Sequence, residues 1–150
     1  MRFRDGAASV SIAYPATWAR VRPSDPEVRL LVAADDSTSL LMRVAPIGLE
    51  AQVTPGTLPL VRPLTDRLVG AGERVRLLAA PRTVVLGGLP GYRYRYTFSS
   101  VGGHRGAHLH YFLFKEKRMI QLVFQALPSD RLPELSGVFE RIAATFRGTA

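Results

Sequence analysis

Polar and apolar positions alternate first at Ala8, Val10 and Ile12, the period of two that a half-buried strand requires. Tyr14-Pro15-Ala16-Thr17-Trp18 interrupts it, because proline has no amide donor and a fixed φ, and Trp18 is expected to fold back over the core as an anchor. Residues 29–34 and 40–47 are apolar runs around Asp35-Asp36-Ser37-Thr38-Ser39, whose short acceptor side chains favour a tight turn, so the pattern predicts a hairpin. Leu58, Val61, Leu64, Leu68 and Val69 recur at spacings of three and four, which predicts an amphipathic helix over 57–69 ended by Gly70 and Gly72.

Residues 74–86 predict a strand bent at Ala80-Pro81. A turn at Gly87-Gly88-Leu89-Pro90-Gly91 then leads into the strictly alternating run from Tyr92 to Phe98. Beyond a loop over 99–106, residues 108–114 and 119–125 form a second hairpin around Lys115-Glu116-Lys117; both runs are apolar on two faces, as in central strands covered from both sides. Ser129-Asp130 is expected to cap a closing helix whose Leu132, Leu135, Phe139, Ile142 and Phe146 share a stripe with Val138 beside it. Asp130 and Glu134 would lie at the positive end of its dipole. Strands, helix, strands, helix, with hairpins in sequence, predict an α+β fold: a mainly antiparallel sheet of about six to seven strands with two main helices packed on it.

Composition narrows the class. The 150 residues are 47% apolar with no cysteine, enough to bury the core of a single domain over 1–150, and too apolar for disorder. No thiol nucleophile, thiolate metal site or disulfide can form, and no apolar run reaches the length of a membrane span. With no secretory signal behind Met1-Arg2-Phe3-Arg4, the chain as written reads as cytoplasmic; had a signal or lipid anchor been trimmed, it would be extracytoplasmic. Arginine outnumbers lysine 18 to 2, mainly a mark of a GC-rich genome. The net charge of +8 is local: residues 73–118 hold nine basic and two acidic side chains, and so +7 of it.

Three short motifs sit in this order of elements: Tyr14-Pro15-x-x-Trp18 after the first strand, Gly88-x-Pro90-Gly91-Tyr92 before the tyrosine strand, and Ile142-x-x-Thr145-Phe146 closing the last helix. Together they resemble the PsbP-like superfamily, which groups the extrinsic photosystem protein PsbP, a Ran-binding import factor, lipoproteins of the LpqN type and EagR-type effector chaperones. The resemblance spans nearly the whole chain. It implies an α/β/α sandwich with a central antiparallel sheet, used as a binding or assembly module with no shared catalytic residues to carry over. The lipidation cysteine of the lipoproteins is absent.

Few constellations point to chemistry. His104, His108 and His110 invite a metal site, since residues two apart on a strand share a face, but no Asp or Glu lies between His104 and Lys115 to complete a shell. His110 would share its face with Phe112 and Phe114, so the histidines are read as structural and no metal or cofactor is implied. Gly87-Gly88-x-x-Gly91 precedes a strand, not the helix N-terminus that a phosphate loop needs. Asp35 and Asp36 sit in a solvated turn, Glu50, Glu73 and Glu116 are isolated, and no Gly-x-Ser-x-Gly elbow occurs, which leaves no catalytic constellation. In Tyr92-Arg93-Tyr94-Arg95-Tyr96 the tyrosines face one side with Phe98 and the arginines the other, so base stacking and charge diverge.

These readings make the chain a non-catalytic protein-binding or adaptor module that meets an acidic protein partner through a basic sheet region. A chaperone-like role shielding a client segment is its narrower form. Arg74, Arg76, Arg93, Arg95, Arg105, Lys115, Lys117 and Arg118 are the candidate contacts, with Arg93 and Arg95 expected on an exposed stripe beside Arg74 or Arg76. The alternatives are a nucleic-acid-binding domain using the same strands and a small-ligand domain built on Tyr92, Tyr94 and the histidines. An exposed sheet edge would also allow pairing into a homodimer.

Overall fold

The computed structural model describes residues 1–48 and 52–149. Strands β1 (Arg2–Asp5) and β2 (Val10–Ala13) form an N-terminal hairpin. The main sheet holds β3 (Ala19–Arg20), β4 (Val28–Asp35), β5 (Thr38–Pro46), β6 (Arg76–Leu77), β7 (Arg82–Leu86), β8 (Leu89–Ser99), β9 (Arg105–Lys115) and β10 (Arg118–Ala126). Their spatial order is β3-β4-β5-β10-β9-β8, with β6 and β7 sharing the outer side of β8, and every pairing is antiparallel. Helices α1 (Arg62–Gly70) and α2 (Leu132–Ala144) complete the fold.

The sheet has eight strands where the sequence pattern predicts six or seven. One cause is the run over 74–86, which divides at Ala79-Ala80-Pro81 into two short strands instead of bending as one. Pro59 and Pro63 alter the first helix as well. Neither has an N–H to give, so a tight 3-10 turn at Leu58–Val61 precedes α1 and places Pro63 in its first turn. Ser129 and Asp130 do not cap α2. They form a 3-10 turn, and the helix starts after Arg131 with Pro133 and Glu134 in its first turn and no side-chain cap bond.

Apolar side chains cover both sheet faces. On one face Leu109, Tyr111 and Leu113 of β9 and Ile120, Leu122 and Phe124 of β10 pack under α2, the β1–β2 hairpin and Trp18, where the fully buried Phe139 ring lies 5.1 Å from that of Phe124. On the other face Tyr92, Tyr94, Phe112, Phe114 and Met119 pack under Leu58, Val61 and Val69 of the α1 segment. The central strands are thus covered from both sides, as their two-faced apolarity requires. The cover over the second face stops short of β4, β5 and part of β10, where Leu31, Leu41 and Val123 are only half-buried. Among the described residues no helix is long and apolar enough to cross a membrane.

Candidate partner-binding surface

The turn between β7 and β8 sets the register of the basic region. Gly87 and Gly88 both have positive φ, +59° and +87°, which glycine adopts without a Cβ clash, and they close a two-residue hairpin with Leu86 opposite Leu89. Counting outward, Val84 lies opposite Gly91 and Arg82 opposite Arg93. Gly91 lets β9 approach, because a Cβ there would run into the Phe112 carbonyl.

Alternation along β8 then divides aromatic from cationic groups. Tyr92, Tyr94 and Tyr96 point to the α1 side and are buried. The Tyr92 hydroxyl donates to the Leu58 carbonyl at 3.1 Å, and that of Tyr94 donates to Asp66 Oδ1 at 2.5 Å beside the Thr65 hydroxyl at 2.7 Å. Burial and the Asp66 carboxylate push the Tyr94 phenol up to about 12. Burial works to raise Asp66, but the bonds from Tyr94 and Arg62 outweigh it and hold that carboxyl below its usual range. These rings are structural posts under a helix, with no face free for stacking.

Arg93 and Arg95 point to the α2 side, with Arg82 opposite Arg93 and Arg76 opposite Thr97. They are half-buried and not on the open stripe expected from the sequence, because α2 packs beside them; Glu140 of that helix lies 3.7 Å from Arg93 Nη1, whose side chain is 18% exposed. Arg76 and Arg82 are exposed, and among the described residues neither they nor Arg95 form an ion pair.

The remaining candidates divide between internal bonds and solvent. Arg105 donates to the Arg74 carbonyl at 2.8 Å, to Ser99 Oγ at 3.2 Å and to Thr97 Oγ1, tying the start of β9 to β8. Lys115 Nζ donates to the carbonyls of Ala8, Ser9 and Gly148 at 2.9, 2.9 and 2.6 Å, and Arg118 donates to the Ala7 carbonyl at 2.7 Å. Those two cations fasten the β1–β2 loop and the C-terminal segment to the sheet. Arg74 is exposed at a positive φ of 51°, and Lys117 is exposed in the β9–β10 turn. Arg82 is an exposed cation beside Arg93 that the sequence reading left out of its candidates. Its signal was the Gly-Gly turn, which fixes the register by counting alone.

The histidines do not gather. His104 is exposed in the loop before β9, while His108 and His110 project to the α1 side of β9 with Tyr96 between them. The Tyr96 hydroxyl lies 3.0 Å from His108 Nδ1 and 2.8 Å from His110 Nδ1, and the Nε2 atoms lie 3.0 and 2.8 Å from Oε1 of Gln125 and Gln121. Burial lowers both imidazoles, His110 to about 3, with His108 adding to the depression at His110. Every ring nitrogen of the pair is thus engaged, and the His110 ring stacks on Phe112 at 4.1 Å. Together with Leu31, Leu41 and Val123 the pair floors an open cavity of about 350 Å³. Asp35 serves its turn, with Oδ1 accepting from Ser37 N at 2.8 Å and Ser37 Oγ at 2.7 Å; Glu50 lies outside the described residues.

The cyanobacterial PsbP of Synechocystis sp. PCC 6803 superposes with a TM-score of 0.68 at 16% identity, over 98% of this chain and 91% of that one. The chain has the PsbP-like fold. LpqN of Mycobacterium tuberculosis, described as involved in cell envelope biogenesis, superposes with a TM-score of 0.72 at 11% identity, over 98% and 88% of the two chains. A Pseudomonas aeruginosa protein of unknown function gives 0.54 at 13% identity, over 97% and 94%. No family model matches the chain, and no curated protein matches it in sequence. At these identities the PsbP-like likeness is one of fold, so which side chains matter rests on the geometry above.

Proposed function

We propose that the chain is a non-catalytic adaptor module that binds an acidic protein segment through the arginines gathered on the α2 side of β6, β7 and β8. One observation carries this: Arg76, Arg82 and Arg95 lie on one face of neighbouring strands without a carboxylate partner among the described residues. Guanidinium groups suit such a role, since each presents a planar fork of donors to a carboxylate. Lys115 and Arg105 drop out of the contact set because their donors already serve backbone carbonyls or neighbouring hydroxyls, and Arg118 because its Nη1 holds the β1–β2 loop. The burial of Tyr92, Tyr94 and Tyr96 favours protein over nucleic acid, because no aromatic platform accompanies the charge. A chaperone-like role would use the same surface on a client segment.

The test is fluorescence anisotropy with a labelled polyglutamate peptide and, separately, a labelled DNA duplex, over about 50–300 mM salt. We expect peptide binding that weakens with salt and is lost when Arg76, Arg82 and Arg95 are replaced together by serine. DNA binding that exceeds the peptide's, with the duplex salt slope of about −0.9 per phosphate, would overturn the reading in favour of nucleic acid.

A further inference from the structure

The outer edge of β7 is an unpaired strand edge with different chemistry on its two sides. We propose that it docks an extended segment of an acidic partner, which adds to the sheet as a further strand; this rests on the acidic-partner reading above. In an antiparallel hairpin closed by two residues, the flanking pair is hydrogen-bonded and the pairs alternate from there. Leu86, Val84 and Arg82 therefore bond to β8, and Thr83 and Val85 turn their N–H and C=O groups outward. Pro90, opposite Val85, agrees with this phase because it has no N–H to offer. Among the described residues no partner meets those outward groups. Sheet edges are usually blunted by lysine, proline or a bulge, yet β7 contains no lysine, proline or bulge and Val85 is 69% exposed.

The two sides of this edge select the occupant. Toward α1, Thr83 and Val85 face Pro55, Leu58, Pro59 and Pro90 across an apolar cavity of about 270 Å³. Toward α2, Val84 and Leu86 pack on the core, and Arg82, beside Arg93, is the charged position. An added strand sends alternate side chains to each side, so the segment that fits alternates apolar and acidic residues. A second copy of this chain is disfavoured as occupant, because each carries a net charge of +8.

The probe is a peptide of about ten residues alternating glutamate and valine, added to the ¹⁵N-labelled full chain and followed by amide hydrogen exchange. Three controls accompany it: the same peptide N-methylated on alternate residues, a block peptide of equal composition, and the Val85→Pro variant. Proline at that outward position removes a docking donor but no bond to β8. We expect exchange at Thr83 and Val85 to slow by at least about tenfold with the alternating peptide, and its affinity to fall at least about tenfold in each control. If the N-methylated peptide binds as well as its parent, or saturation leaves those amides unprotected, docking as a strand is wrong while the charge-based reading of function stands. If no peptide binds at low salt, both fail. Protection of Thr83 and Val85 without peptide, together with a dimer in sedimentation, would assign the edge to a second copy and overturn the proposal. The N-methylated arm decides the matter even if Val85→Pro fails to fold.

Discussion

The Tyr96 hydroxyl lies 2.8 Å from His110 Nδ1 and, with a single proton, also faces His108 Nδ1 at 3.0 Å. When each Nε2–H donates to its glutamine oxygen, both Nδ1 atoms are acceptors, and the Tyr96 proton serves the shorter bond to the buried His110. The first proton taken up on acidification therefore goes to His108, whose new Nδ1–H can donate to the Tyr96 oxygen. Both imidazoles are depressed below 6.5 in the folded chain, so the unfolded chain binds more protons in that window. Their contribution to stability is complete above about pH 6.5 and is lost as pH falls toward 3. Urea unfolding from pH 7.5 to 4.5 should show stability falling by up to about 1.4 kcal/mol per pH unit for each histidine left uncharged. His110→Phe should flatten the profile; an unchanged slope in that variant would refute the assignment.

Lys115 ties three carbonyls from two chain ends to the sheet, which makes it a structural cation in the middle of the basic segment. Lys115→Met should lower stability by about 1.5–3 kcal/mol, the range for hydrogen bonds to a charged group, and leave polyglutamate affinity unchanged. Chemical denaturation and anisotropy on the same preparation separate the two roles. An affinity loss without a stability loss would return Lys115 to the binding surface.

That residue also shows where sequence reading stops. Alternation and turn chemistry made the two long hairpins, the tyrosine face and the burial of His110 beside Phe112 legible, since each follows from local spacing, while His104, read as structural too, is exposed. Concentration of charge between residues 73 and 118 was legible too, but not its division into bonded and free cations. Lys115 meets Ala8 and Gly148, Arg118 meets Ala7 and Arg93 meets Glu140 across separations that no local pattern encodes. Strand β1 was missed for a related reason. Arg2-Phe3-Arg4-Asp5 has one apolar residue and becomes a strand by pairing with β2, beside the Ser11–Arg147 bridge.

Tyr94 joins the sheet to α1 through Asp66 and Thr65, and against the burial that would raise it, its hydroxyl and Arg62 together hold the Asp66 carboxyl below its usual range. Tyr94→Phe should cost about 1–2 kcal/mol, because the aromatic packing against Phe112 stays and the bond to a charged acceptor goes. The Asp66 carboxyl should move upward at the same time, which carbon-detected NMR of its side chain would read. A loss of stability with Asp66 unmoved would mean that the hydroxyl acts through Thr65 instead.

Glu140 sets how much of the arginine surface is available. It is 56% exposed and 3.7 Å from Arg93, a spacing at which a partly solvated pair contributes less than about 1 kcal/mol, so Glu140→Gln should leave the fold intact. Removing its charge frees Arg93 to act with Arg82 opposite it and adds one unit of positive potential beside the β7 edge. Polyglutamate affinity should then rise by about two- to threefold at low salt and by nothing measurable near 1 M, where the screening length is about 3 Å. Arg82→Glu supplies the opposite sign: its carboxylate would pair with Arg93, and affinity should fall below that of Arg82→Ser. Should Glu140→Gln leave low-salt affinity unchanged while Arg82→Glu abolishes it, Arg93 would be a support for α2 and the contact surface would narrow to Arg76, Arg82 and Arg95.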